Sequence, residues 1–294
     1  MTTCPVVVGV DGSGESLLAA EWAAMEANRH GLPLRIVSAP AMLPRMQAHQ
    51  VSQAAVTSAL RAAATRALGA AVARAEEVAP GLKITTDLLS GPPALAVAGS
   101  GSDAAMLVVG ARGAGGFAAM LLGSVSRYAA ARATCPVIVV RQASMAVHQE
   151  VVVGIRDPQE TSEALTFAFE EAAARRADLM AVHAWHWFPS VLRSPVDQDA
   201  PFHPEQICGQ AVHSLSAVLD QWRQKYPAVR VHQDVIRGHP ARILANYSVR
   251  SDLVVIGRHA DPGIGSIQHA LLDHARGPVA VVPADNFGSK EISL

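Results

Sequence analysis

The chain has 294 residues, longer than one ordinary α/β domain, and half of them are hydrophobic, enough for two buried cores of about 150 residues each. With 24 basic against 25 acidic side chains the formal net charge is −1, so no broad basic face is available to neutralise a nucleic-acid backbone. The first strand-like run begins at Val6 with no basic segment or cleavable apolar stretch before it, and no run approaches the ~20 apolar residues of a membrane span; a cytoplasmic protein with neither nucleic acid nor membrane as partner is expected.

Short apolar runs rich in β-branched residues alternate with longer, alanine-rich stretches. In chain order the spacing predicts strands over 6–10, 34–39, 83–89, 106–110 and 136–141, with helices over 14–30, 52–78, 92–101 and 124–133. The long helix carries Val56, Leu60, Ala64, Leu68 and Val72 at four-residue spacing, one stripe of an amphipathic helix. A loop is expected over 40–50 after the second strand, and 142–150 reads as a linker.

Beyond the linker the pattern starts again. Val6-Val7-Val8-Gly9-Val10 recurs as Val151-Val152-Val153-Gly154-Ile155, and Glu26-Ala27 with the following strand recurs as Glu171-Ala172 with Leu179 to Ala184. Gly91-Pro92-Pro93-Ala94 recurs as Gly238-His239-Pro240-Ala241, Met106 to Gly110 as Leu253 to Gly257, and Pro136 to Val140 as Pro278 to Val282. Five landmarks in one order establish a duplication. The expected architecture is therefore two tandem α/β domains, 1–142 and 150–294, each a doubly wound parallel sheet of Rossmann-like type with helices on both faces. A loop over 188–204 interrupts the second half, and a polar tail begins near Ala284.

In open α/β sheets ligands sit at the carboxyl ends of the strands, near a switch in strand order. Three elements of the first half lie at such ends. Asp11 follows the opening strand and can accept hydrogen bonds from ribose hydroxyls. Val37, in Val37-Ser38-Ala39, ends the second strand, where main-chain groups can read an adenine edge. Gly110 and Gly113 belong to the spacing G-x2-G-x9-G-S, in which glycine lets backbone amides approach phosphate oxygens. Gly123 and Ser124 then open a helix whose N-terminal amides favour anions, with the Ser124 and Ser126 hydroxyls as further donors. Each piece taken singly has a plainer reading: a turn with a helix cap at Asp11, an N-cap at Ser124, turn glycines in the loop.

Together these residues resemble the universal stress protein family in its tandem form, whose ATP-binding branch carries G-x2-G-x9-G-[ST] and an acidic residue after the first strand. The resemblance extends over essentially the whole chain, including a Pro-Val-x-Val-Val last strand in both halves. It implies a five-stranded sheet of adenine nucleotide α-hydrolase type, last strands pairing antiparallel across a pseudo-two-fold, and further assembly into a homodimer. It also implies ATP, with Mg2+ as its usual companion, held by Asp11, Val37, Gly110, Gly113, Gly123, Ser124 and Val125.

The second half departs from that pattern. Arg156 stands where Asp11 stands in the first, and an arginine offers no acceptor. Gly257 is followed by Gly265-Ser266 after only eight residues, five fewer than between Gly110 and Gly123, and His259 and Asp261 replace small residues. One nucleotide per chain, in the first half, is the expectation.

The loop has neither the Gly-Lys-Ser/Thr of a Walker A nor a dehydrogenase G-x-G-x-x-G at the first strand. No base for water is evident near it, and Arg112 is either a γ-phosphate contact or a solvated loop residue. The expected role is a nucleotide-dependent sensor or switch in the stress response, with at most slow ATP hydrolysis. The alternatives are a nucleotide-independent interaction module and a slow ATPase of the same superfamily. His183 with His186, and His269 with His274, have poor spacing for a shared metal, and none is expected. Cys4, Cys135 and Cys208 lack metal-type spacing and suit a reducing compartment. Trp185-His186-Trp187 reads as a core edge.

Overall fold

The structure is a computed structural model that describes residues 4–40, 53–113, 122–141, 147–156, 162–185, 204–258 and 266–284. Most of the two expected loops and of the linker, the middle of the glycine loop, the tail, and the positions of Asp157, His186, Trp187, His259, Asp261 and Gly265 lie outside them.

The first half contains β1 (Val6–Gly9), α1 (Gly14–Arg29), β2 (Leu34–Ser38), α2 (Gln53–Val78), β3 (Ile84–Leu88), α3 (Pro93–Gly99), β4 (Met106–Gly110), α4 (Ser124–Arg132) and β5 (Val137–Val140). The second contains β6 (Glu150–Gly154), α5 (Ser162–Arg175), β7 (Asp178–Trp185), α6 (Pro204–Lys225), β8 (Val231–Arg237), α7 (Pro240–Tyr247), β9 (Leu253–Gly257), α8 (Ser266–His274) and β10 (Val279–Val282). Every strand and helix read from the sequence of the first half is present, with ends moved by one or two residues. Pro93 and Pro240 sit at the start of their helices, where a missing amide costs nothing.

The ten strands form one sheet in the order β3-β2-β1-β4-β5-β10-β9-β6-β7-β8. Each half is parallel throughout, and the halves join where β5 and β10 pair antiparallel, Ile138 opposite Ala280. Because side chains alternate along a strand, the unbroken valine runs feed two cores at once. Val6, Val8, Val151 and Val153 face α1, α2, α5 and α6, while Val7 and Val152 face α3, α4, α7 and α8. Both cores run across the seam between the halves. Helix α1 lies close to the sheet because Ala19, Ala20, Ala23, Ala24 and Ala27 are fully buried against it. The apolar stripe of α2 is buried at Ala64 and Leu68 and half-buried at Val56, Leu60 and Val72, with Ala67, Ala71 and Ala75 completing the buried face. The outermost strands carry Thr85, Thr86 and Asp87, and His232, Gln233 and Asp234, polar side chains that discourage pairing with another sheet edge.

A charged clasp closes the seam. Glu26 on α1 and Glu171 on α5, related by the duplication, are both buried and meet across the pseudo-two-fold. Arg175 reaches Glu26 at 2.6 Å and also pairs with Glu171. The His30 imidazole bridges the two carboxylates at 3.0 and 3.1 Å, and Arg29 adds a 2.5 Å contact to Glu26. Burial by itself would push the Glu26 carboxyl up, but Arg175, the His30 hydrogen bond and Arg29 outweigh it and hold it at about 2. Burial would likewise depress His30, yet its hydrogen bonds to Glu171 and Glu26 raise it to about 9. Glu26, His30 and Glu171 offer atoms within 4.8 Å of one another, as a metal site would. A protonated imidazole and two arginine-paired carboxylates suit a salt bridge instead, since metal ligation needs the neutral ring. Two backbone contacts complete the seam: Arg258 donates to Ala133 O at 2.7 Å, and Arg141 donates to Leu272 O.

Candidate functional site

In the first half the chain runs outward from β1 to β2 and β3, then crosses back to β4 on the other side of β1. The switch in strand order lies between β1 and β4, and the segments leaving these strands are Asp11 and the glycine loop.

Val10 N donates to Val37 O at 2.8 Å, and the Ser38 hydroxyl donates to Val10 O at 2.7 Å, tying the ends of β1 and β2 together. Asp11 is exposed and its Oδ1 accepts the Ser13 amide at 3.0 Å, a local turn that fixes the carboxylate. Ser13 is the N-cap of α1, accepting from Ser16 N at 3.3 Å. A Cβ placed on Gly113 would meet Asp11 Oδ2, so any larger residue there would have to turn this carboxylate aside.

Gly110 is more strictly constrained. A Cβ there would lie 2.8 Å from Glu15 C and 2.9 Å from Glu15 O, backbone atoms of the first turn of α1. The Glu15 carboxylate then holds the loop from below: it accepts Arg112 N at 2.6 Å and Arg112 Nε at 2.7 Å. Gly123 N donates to Ala111 O at 2.7 Å and closes the base of the loop. Gly123 has extended backbone and occupies the N-cap of α4, with no side chain capping the helix. The opening amides of α4 therefore point out at a positive helix terminus without a side-chain acceptor.

Asp11, Gly110, Gly113 and Gly123 are thus brought together at one strand-end crevice. Val37 borders it through its main chain, with its side chain fully buried. Ser124 is the exposed first residue of α4, and Val125 is half-buried against the core below. Three details of the sequence reading change. Gly123, not Ser124, is the N-cap, because Ser124 already has helical position. Ser126 is buried and its hydroxyl donates to Gly110 O at 2.5 Å, so it braces β4 against α4 and is no ligand donor. A carboxylate does lie beside the loop: Glu15, committed to Arg112, whose guanidinium is ion-paired and not merely solvated. An acid in the first turn of a helix is ordinary for the helix dipole, which hid this role in the sequence.

The second half keeps the bracing and changes the ligand side. Gln268 Nε2 donates to Gly257 O at 2.7 Å, where Ser126 braces Gly110, and the His183 ring contacts Ile155 O at 2.9 Å, where Ser38 contacts Val10 O. Arg156 is exposed at the place of Asp11. A Cβ on Gly257 would meet Ala164 Cβ at 3.8 Å, an ordinary contact, so no close helix approach demands glycine there. His269 pairs with Asp273 at 3.2 Å along α8, and Trp185 lies 5.8 Å under the Arg237 guanidinium. Burial pushes the Cys135 thiol up to about 12, which removes it as a nucleophile near neutral pH. No described helix is long and apolar enough to cross a membrane.

The family model "Universal stress protein family" matches the chain twice, over residues 4–141 and 148–283. Universal stress protein Rv2005c of Mycobacterium tuberculosis is 34% identical over 301 residues, covering 94% of this chain and 96% of that one. Universal stress protein Rv1996 of the same organism is 32% identical over 321 residues, covering 97% of each. Among solved structures, a universal stress protein from Archaeoglobus fulgidus superposes with a TM-score of 0.70 at 15% identity, covering 97% of this chain and all of that one, a likeness of fold.

Proposed function

The chain belongs to the universal stress protein family, and from that premise we propose that its first half binds one ATP and that the chain acts in the cytoplasm as a nucleotide-dependent switch rather than a fast catalyst. The observation that carries this reading is the pairing of Asp11 with Gly113 at the β1/β4 crevice, beside a helix N-terminus without a side-chain cap. Asp11 Oδ2 accepts a ribose hydroxyl, and the main chain at Val37 borders the adenine. The amides at Gly110, Gly113, Gly123, Ser124 and Val125 take the phosphates, as helix termini and glycine turns do for anions. Phosphate oxygens together with water would hold any accompanying Mg2+, which would offset the charge of the phosphates.

Catalysis of hydrolysis is not part of the reading, because Glu15, the carboxylate bonded to the loop, is spent on Arg112. The division into 1–142 and 150–294 belongs to the same proposal, with the second half as an architectural partner, and so does assembly of the chain into a homodimer.

The test is to denature the purified protein, identify the small molecule released, and titrate ATP into the stripped protein by calorimetry. One nucleotide per chain is expected, with the co-purifying nucleotide lost in Asp11→Glu and Gly123→Arg. Two equivalent sites per chain, or none, would overturn the proposal.

A further inference from the structure

A cavity of about 640 Å³ opens across the seam, divided from the strand-end crevice by the Glu15–Arg112 pair. Its size is that of small-molecule sites, roughly 300–1,000 Å³. None of the seven residues assigned to ATP lines it. We propose that this seam cavity is a second ligand site, for an organic anion with a compact apolar body and a hydroxyl or amide donor.

The apolar wall comes from α1, where Leu18, Trp22 and Met25 line the cavity, and Val249 from the second half, 51% exposed, stands opposite. Arg29, Arg141 and Arg276 supply positive charge around it. Arg29 is paired with Glu26 and Arg141 donates to Leu272 O, which leaves Arg276 as the main cation toward a ligand, and the other acidic residues of the lining are mostly held by other groups. Asp252 accepts the amides of His148 and Gln149 at 2.6 and 3.0 Å, Glu26 is held in the seam clasp, and Glu15 is held by Arg112. Asp273 is the exception: its Oδ2 meets His269, but its Oδ1 is buried with no hydrogen-bond partner. A buried carboxylate oxygen without a donor is costly, and a ligand hydroxyl or N–H relieves that cost.

The duplication provides an internal control. The positions related to Arg29, Arg141 and Arg276 are Ala174, Pro283 and Thr134, and the position related to Asp273 is Ala131. These charges are therefore not part of the duplicated pattern; Arg29 and Arg141 also serve the seam, through Glu26 and Leu272 O, and it is Arg276 and the Asp273 oxygen that distinguish this side. The inference does not depend on the nucleotide reading, although Glu15 and Arg112 also line the cavity and form a wall shared with the glycine loop.

The probe is 6-hydroxy-2-naphthoate, an anion with an apolar body and a hydroxyl donor, titrated by calorimetry into the full chain with and without excess ATP, beside neutral 2-naphthol. Expected is one saturable naphthoate site per chain that survives excess ATP, with naphthol weaker by about tenfold or more, as expected when a charge contribution of about 1.4 kcal/mol is absent. Arg276→Glu and Val249→Asp, both at exposed positions, should weaken it similarly, while Thr134→Glu, at the related position, leaves it unchanged. Absence of saturable binding, displacement by ATP, or equal binding by Arg276→Glu and wild type would each overturn the proposal. An unchanged melting temperature in the two variants separates loss of the site from loss of the fold.

Discussion

The two halves share their bracing but not their ligand-facing groups. Where β1 and β4 end, Ser38 and Ser126 satisfy the carbonyls of Val10 and Gly110. Where β6 and β9 end, His183 and Gln268 satisfy Ile155 and Gly257 with longer side chains. These carbonyls must be paired in either half, since an orphaned buried acceptor costs about 1–3 kcal/mol, and so a donor persists while its identity drifts. No such obligation holds for groups that face a ligand. Asp11 becomes Arg156, and the close approach of Gly110 to α1 has no counterpart at Gly257. Within one chain the duplication therefore separates what the fold requires from what it leaves free to change.

The largest effect expected on this comparison is at the seam, where the second half acts as partner. Arg175→Ala leaves Glu26 and Glu171 facing each other in a buried site. Removing one member of such a network costs about 3–5 kcal/mol. Urea unfolding should show that loss; a change below about 1 kcal/mol would mean that β5–β10 pairing and the shared cores hold the halves unaided.

The clasp also has a pH signature. His30 is raised from 6.5 to about 9, so its contribution is complete below 6.5 and disappears as pH rises through 9. Glu26 is lowered from 4.5 to about 2, so its contribution is present above 4.5 and disappears as pH falls through 2. The unfolding free energies of wild type and His30→Gln should differ by up to about 3 kcal/mol near pH 6, converging above pH 9. A pH-independent difference would remove the titrating bridge from the account.

Copying the second half into the first tests the ligand side. Asp11→Arg should weaken ATP by about ten- to a hundredfold, the worth of one charge-assisted hydrogen bond. The reverse change, Arg156→Asp, should create no second site in a calorimetric titration, because five loop residues remain missing. The smallest effect expected is in the glycines. Gly110→Ala pushes a methyl into Glu15 backbone and should cost about 1–3 kcal/mol, whereas Gly257→Ala, with only a 3.8 Å neighbour, should stay within about 0.5 kcal/mol. Equal melting temperatures for the two variants would show that α1 yields to the extra carbon.

Much of this molecule was legible in its residues. Valine runs spaced by alanine-rich stripes, twice over, specify strands buried on both faces and the helices that cover them. That signal is local and periodic, and burial reads it directly. The glycine spacing likewise marked the crevice, because glycine at Gly110 answers the close approach of the α1 backbone. Contacts between distant segments carried no such mark. Glu15 carried no mark at all, Ser126 read as a further donor to a ligand, and Glu26 with Glu171 served as a repeat landmark; the partners of the first and last lie 97 and 149 residues away. The sequence alone determined the elements, the duplication and the strand ends at which Asp11 and the glycines gather, since each rests on neighbours along the chain. Only the tertiary structure decided which polar groups are already spent on one another, because a hydrogen bond made across the fold leaves no periodicity behind.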